Sequence, residues 1–83
     1  MTNAEYRAVR THYIELMEKE NRTELEEAEY LYLDKLISYI DLYTTARQMG
    51  NKNPDNNFLV SGAKKKMEEA QKRMQEVKMR CAR

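Results

Sequence analysis

Residues 60–81 read VSGAKKKMEEAQKRMQEVKMRC, and their spacing decides the fold. Val60, Ala63, Met67, Ala70, Met74, Val77 and Cys81 recur at alternating intervals of three and four. That pattern places them along one stripe of an α-helix, in the manner of a coiled-coil seam with Val60, Met67, Met74 and Cys81 at a. The alanines at d let a neighbouring helix come close, and the unbranched methionines fill irregular gaps. Lys66, Arg73 and Arg80 fall at g, and Lys64 and Lys78 at e. Two copies of this helix in parallel would therefore set like charges across the seam. The pattern predicts a partner helix of opposite charge.

Residues 24–49 fit that role. They carry two basic and six acidic residues, net −4, whereas 58–83 carry eight basic and three acidic, net +5. Glu27, Asp34 and Asp41 recur every seven residues beside an apolar stripe of Tyr30, Leu33, Ile37 and Ile40. The expected arrangement is an antiparallel hairpin with the acidic row facing the basic one, because a short connection favours antiparallel neighbours. The connection is the turn-rich GNKNPDNN at 50–57, where Asn53–Pro54 reads as an N-cap followed by proline at the first helical position. Thr23 and Glu26 match a capping box, Glu24, Glu26 and Glu27 suit the positive end of the helix dipole, and Gly50 is a natural stop. A second apolar stripe on the same helix holds Tyr32, Leu36, Tyr39, Tyr43 and Ala46. Together the stripes exceed the ~100° face of an ordinary surface helix, so this helix should be covered from two sides. The tyrosine-rich stripe is left for the first helix or for an oligomer or partner interface.

That first helix opens on another capping box, Thr2 with Glu5, and carries Tyr6, Val9, Tyr13, Leu16 and Met17 at helical spacing to about Glu20. The predicted fold is all-α: one domain over 1–83, a small helical bundle made of a short N-terminal helix (about 3–20) and a long antiparallel helical hairpin (about 24–49 and 58–80). The 41% hydrophobic content is enough for packed helices rather than disorder, and the 35% charged content fits solvated helix faces. A chain of 83 residues builds a thin core, so association with other chains is expected. No apolar run approaches the ~18 residues that would span a bilayer. Glu5, Arg7 and Arg10 interrupt any secretory leader, and a cytoplasmic location is expected, in a bacterial host if the chain is phage-encoded.

The residues offer little catalytic chemistry. A single cysteine and a single histidine leave neither a disulfide pair nor a structural zinc set. His12 has no legible nucleophile or orienting partner. Cys81, near Arg80 and Arg83, reads as a small apolar seam residue rather than a thiolate nucleophile. Glu26, Glu27, Glu29, Asp34 and Asp41 lack the Glu-x-x-His arrangement of di-metal bundles. No glycine-rich phosphate loop or nucleophile elbow is present. The chain reads as a non-enzyme with no cofactor and no metal. A net charge of +1 excludes a simple basic arm, but Lys64, Lys65, Lys66, Lys72, Arg73, Lys78 and Arg80 could contact the phosphates of double-stranded DNA, with Asn57, Ser61 and Gln71 adding polar contacts. Because Glu68, Glu69 and Glu76 interrupt the run, the competing reading is a solvated face that complements the acidic helix.

Residues 31–80 resemble the small terminase subunits of tailed phages. The resemblance rests on YLDKLISYIDLYTTARQMG (32–50), the Asn-Pro within NKNPDNN (51–57), and AKKKMEEAQKRMQEV (63–77). Asp41, Tyr43, Ala46, Gly50, Asn53, Pro54, Ala63 and Met67 stand at the matching positions. No helix-turn-helix is legible. The resemblance implies a non-catalytic homo-oligomer that binds viral DNA and serves a separate large terminase subunit in packaging. The alternative is a small helical module that binds one host or bacterial protein, such as a phage-encoded inhibitor or a secretion chaperone. A coiled-coil fragment without a ligand of its own is the third reading.

Overall fold

Each helix begins where a side chain can satisfy its free N–H groups. The structure is a computed structural model that describes residues 2–82; Met1 lies outside the described residues, as does Arg83, expected beside Cys81. Helix α1 spans Asn3–Glu18, α2 spans Glu24–Gln48 and α3 spans Phe58–Cys81. Both expected capping boxes form, with Thr2 and Glu5 reciprocally bonded at the start of α1 and Thr23 and Glu26 at the start of α2. Lys19 and the capping N–H of Thr23 hold the Glu26 carboxyl below the usual carboxylate range. Gly50 follows the cap of α2 at Met49 and stops the helix there, its φ of +92° lying in the left-handed region that favours glycine. Pro54 opens a single 3₁₀ turn, Pro54–Asn56, rather than α3 itself. The side chain of Asn57, bonded to the Leu59 N–H, caps α3.

The fold is all-α, a long α2–α3 hairpin with a short helix at its N-terminus. The α3 seam is the dry part. Val60, Ala70 and Val77 are buried, and Ala63, Met67 and Met74 are half-buried between exposed flanks. Val60 and Val77 are the largest fully buried side chains among the described residues. Cys81 continues the spacing but is exposed, so the seam closes at Val77. On α2, Ala28 and Ala46 are buried, and their small size suits close approach of α3. The molecule measures 45 × 22 × 19 Å, and no helix among the described residues is long and apolar enough to cross a membrane.

Helix α1 touches α2 and not α3. Its contact is built from hydroxyls and carboxylates. Tyr6 donates to Asp41 at 2.7 Å, and Tyr13 donates to Asp34 at 3.3 Å. The Tyr13 ring stacks on Tyr30 with centroids 5.1 Å apart. Arg22, in the connection, donates to the Leu16 carbonyl at the end of α1, pairs with Glu27, and lies 4.5 Å over the Tyr30 ring. These contacts correct the expected charge pairing. Asp34 and Asp41 turn to the α1 tyrosines, and the basic row of α3 meets Glu24 instead, through Arg80. The α1-facing residues Tyr30, Asp34 and Asp41 and the buried Ala28 and Ala46 fall roughly 150° apart at 3.6 residues per turn. The arrangement is a three-helix layer with α2 in the middle.

Val77→Ala removes two buried methyl groups from a seam with no slack. It should destabilise the fold by roughly 1–3 kcal/mol and lower Tm by about 5–15 °C in a thermal melt. Cys81→Ser, exposed one heptad-step further on, should stay within about 0.5 kcal/mol of the parent.

Candidate docking face between α2 and α3

Tyr32, Leu36, Tyr39 and Tyr43 recur along α2 at steps of three and four, and all four stay half-buried. Met67 and Gln71 of α3 form the facing wall. The resulting groove has a volume of about 920 Å³, is partly open to solvent, and is also lined by Arg47, Gln48 and Asp55. Ile40 and Thr44 form its edge towards α1. Ala46, expected on this stripe, is buried within the single chain.

The tyrosines differ in commitment. Tyr39 donates to Asp55 at 2.7 Å, which ties the 3₁₀ turn to α2. Partial burial, together with that carboxylate, pushes its hydroxyl up to about 12. Tyr43 leans on Tyr39 with ring centroids 6.0 Å apart, but neither its hydroxyl nor that of Tyr32 bonds a described residue. Two amphipathic rings with unused donors on a half-buried strip suit contact with another macromolecule. On the far side of α2, the adjoining Tyr30 hydroxyl, partial burial and the Asp34 carboxylate push Tyr13 up to about 12 as well.

The cations expected at DNA are distributed around α3 rather than along one face. Lys64 is half-buried, and Lys65, Lys66, Lys72, Arg73, Lys78 and Arg80 are exposed. By helical phase, Lys65 and Lys72 share the outward arc with Glu68, Glu69 and Glu76. Lys64 and Lys78 fall on the flank of Gln71, beside the groove, and Lys66 on the opposite flank with Arg73 and Arg80. Arg73 lines a shallow cleft of about 390 Å³ with Glu24, Glu27 and Leu31, and Arg80 pairs with Glu24.

His12 lies 3.5 Å from Glu29 and is exposed, and Cys81 is a free, exposed thiol at the end of α3. Among the described residues, no group of three or more His, Cys, Asp or Glu is placed to hold a metal. Sequence reasoning missed three parts of the surface. Asp55 anchors Tyr39, Met67 and Gln71 wall the groove, and Met49, Phe58 and Leu59 form an apolar tip exposed at 83%, 81% and 56%. The last of these had a signal: Phe58 and Leu59 precede the first seam position and have no place on it.

Tyr13 and Tyr39 are favoured in their neutral form only in the folded chain. Their contribution is therefore complete below pH 10 and is lost as pH rises through about 12. Stability measured by denaturant should fall across that window. Phenolate absorbance should show two late-titrating tyrosines that merge with the rest in denaturant. Comparison with protein-family models, curated proteins and solved structures finds no match to this chain.

Proposed function

We propose that this chain is a non-catalytic helical adaptor that works by assembling through the tyrosine face of α2. The observation that carries the reading is the groove itself. A strip of half-buried tyrosine and leucine runs along the central helix with Met67 of α3 beside it, and the Tyr32 and Tyr43 hydroxyls bond no described residue. Such strips bury large, rigid side chains on contact at low entropic cost, and aromatic anchors dominate binding energy at interfaces.

Within that reading, DNA is the cargo that the resemblance to small terminase subunits implies. Lys65, Lys66, Lys72, Arg73 and Lys78 are exposed and form no ion pair with a described residue, which leaves them available to phosphate. Phosphate contacts of this kind bind without sequence preference and weaken steeply with salt. A single protein partner seated in the groove is the second reading, and the same tyrosines favour it.

Tyr32→Ala with Tyr43→Ala should leave helical content unchanged by circular dichroism, because neither hydroxyl holds a described residue. The pair should dissolve the assembly that light scattering detects for the parent. Unchanged mass in the double variant would refute the tyrosine face as the working surface. Charge reversal at Lys65, Lys66 and Lys72 should reduce retention on duplex DNA and flatten its salt dependence by about three units of slope, near one per phosphate contact. An unaltered slope removes DNA from the reading.

A further inference from the structure

The adaptor reading leaves open what occupies the groove, and the charge pattern of α2 answers it. Glu29, Leu36, Ile40, Tyr43 and Arg47 lie within an arc of about 60° at 3.6 residues per turn. Glu29 is the acidic end of this row and Arg47 the basic end. Counted along the chain, they stand equally far on either side of Ser38, as do Leu36 and Ile40. A row with this symmetry is complementary to itself when reversed. Turned end for end about Ser38, it sets Glu29 against Arg47 of the other copy at both ends, and Leu36 against Ile40 in the middle. The parallel alternative sets Glu29 against Glu29 and Arg47 against Arg47, which like-charge repulsion disfavours. The row from 29 to 47 extends about 27 Å at 1.5 Å per residue, long enough for a helix-on-helix contact.

The local contacts are compatible with this use. Arg47 is exposed and forms no ion pair with a described residue. Glu29 keeps one oxygen uncommitted, since only its other oxygen approaches His12, at 3.5 Å. Leu36, Ile40 and Tyr43 are half-buried in the single chain and would be covered in the pair. The groove of about 920 Å³ is too large for one side chain and is partly open to solvent, which leaves room for several side chains of a helix.

We propose that the occupant of the groove is a second copy of this chain, joined by antiparallel α2–α2 contact with reciprocal Glu29–Arg47 pairing about a twofold axis that crosses the row at the height of Ser38, which itself lies on the opposite face of α2. Resting on the adaptor reading, this specifies its partner and geometry. Each symmetric contact appears twice, so one substitution acts at two places in the dimer.

The test uses the full chain in light scattering and native mass spectrometry at low ionic strength. The parent should have twice the 9.9 kDa chain mass. Glu29→Arg and Arg47→Glu should each weaken self-association about tenfold, because each replaces two attractive contacts with two repulsive ones. An equimolar mixture of the two variants should pair preferentially with each other, since both contacts then become attractive again. Leu36→Glu should give a monomer with parent-like helix content, and His12→Ala should leave the mass unchanged. A monomeric parent overturns the proposal, as does a mixture that fails to form the mixed pair. A larger assembly that Tyr32→Ala with Tyr43→Ala dissolves and the charge reversals leave intact would overturn the twofold seam while preserving the adaptor reading.

Discussion

The dry seam between α2 and α3 is the contact on which the rest depends. Val60 and Val77 sit fully buried near its two ends, with Ala70 between them. Burial of apolar surface is the main favourable term in a chain of this size, and few other side chains here are removed from water. The seam sets the distance between the helices and therefore the width of the groove beside them. Asp55 is held against Tyr39 only because the loop must return from α2 to the start of α3 along this seam.

The two sides of α2 are closed by different physics. Towards α3 the contact is apolar and non-directional. Towards α1 it is a row of hydroxyl–carboxylate bonds, Tyr6 to Asp41 and Tyr13 to Asp34, backed by ring stacking. Directional bonds at a partly exposed interface fix register well but add little net stability, since water competes for both partners. Helix α1 thus orients more than it stabilises, with only Leu16 buried along its length.

Much of this was legible in the sequence, for local reasons. Both capping boxes, the glycine stop at 50 and the α3 seam depend on residues within a few positions of one another, and spacing reports those directly. Assigning the two stripes of α2 to their neighbours was not a local question. Both stripes are apolar, and a seven-residue acidic repeat suits either a basic helix or a tyrosine-bearing one. The deciding signal lay in a second repeat. Tyr6 and Tyr13 are also seven apart, and they meet Asp41 and Asp34 in antiparallel order. Asp55 was read as a turn former because a loop residue's distant partner leaves no periodic trace. The groove was half visible: its α2 wall is the tyrosine stripe, while the Met67–Gln71 wall depends on the rotation of α3 about its own axis.

The exclusive attachment of α1 to α2 has a consequence for motion. A segment that shares no contact with α3 can detach without disturbing the hairpin, so the chain has two cooperative units rather than one. The backbone amides of α1 open at lower free energy than those around Val60 and Val77. Arg22 is the hinge pin of that opening, because it alone grips the end of α1, the Tyr30 ring and Glu27 together.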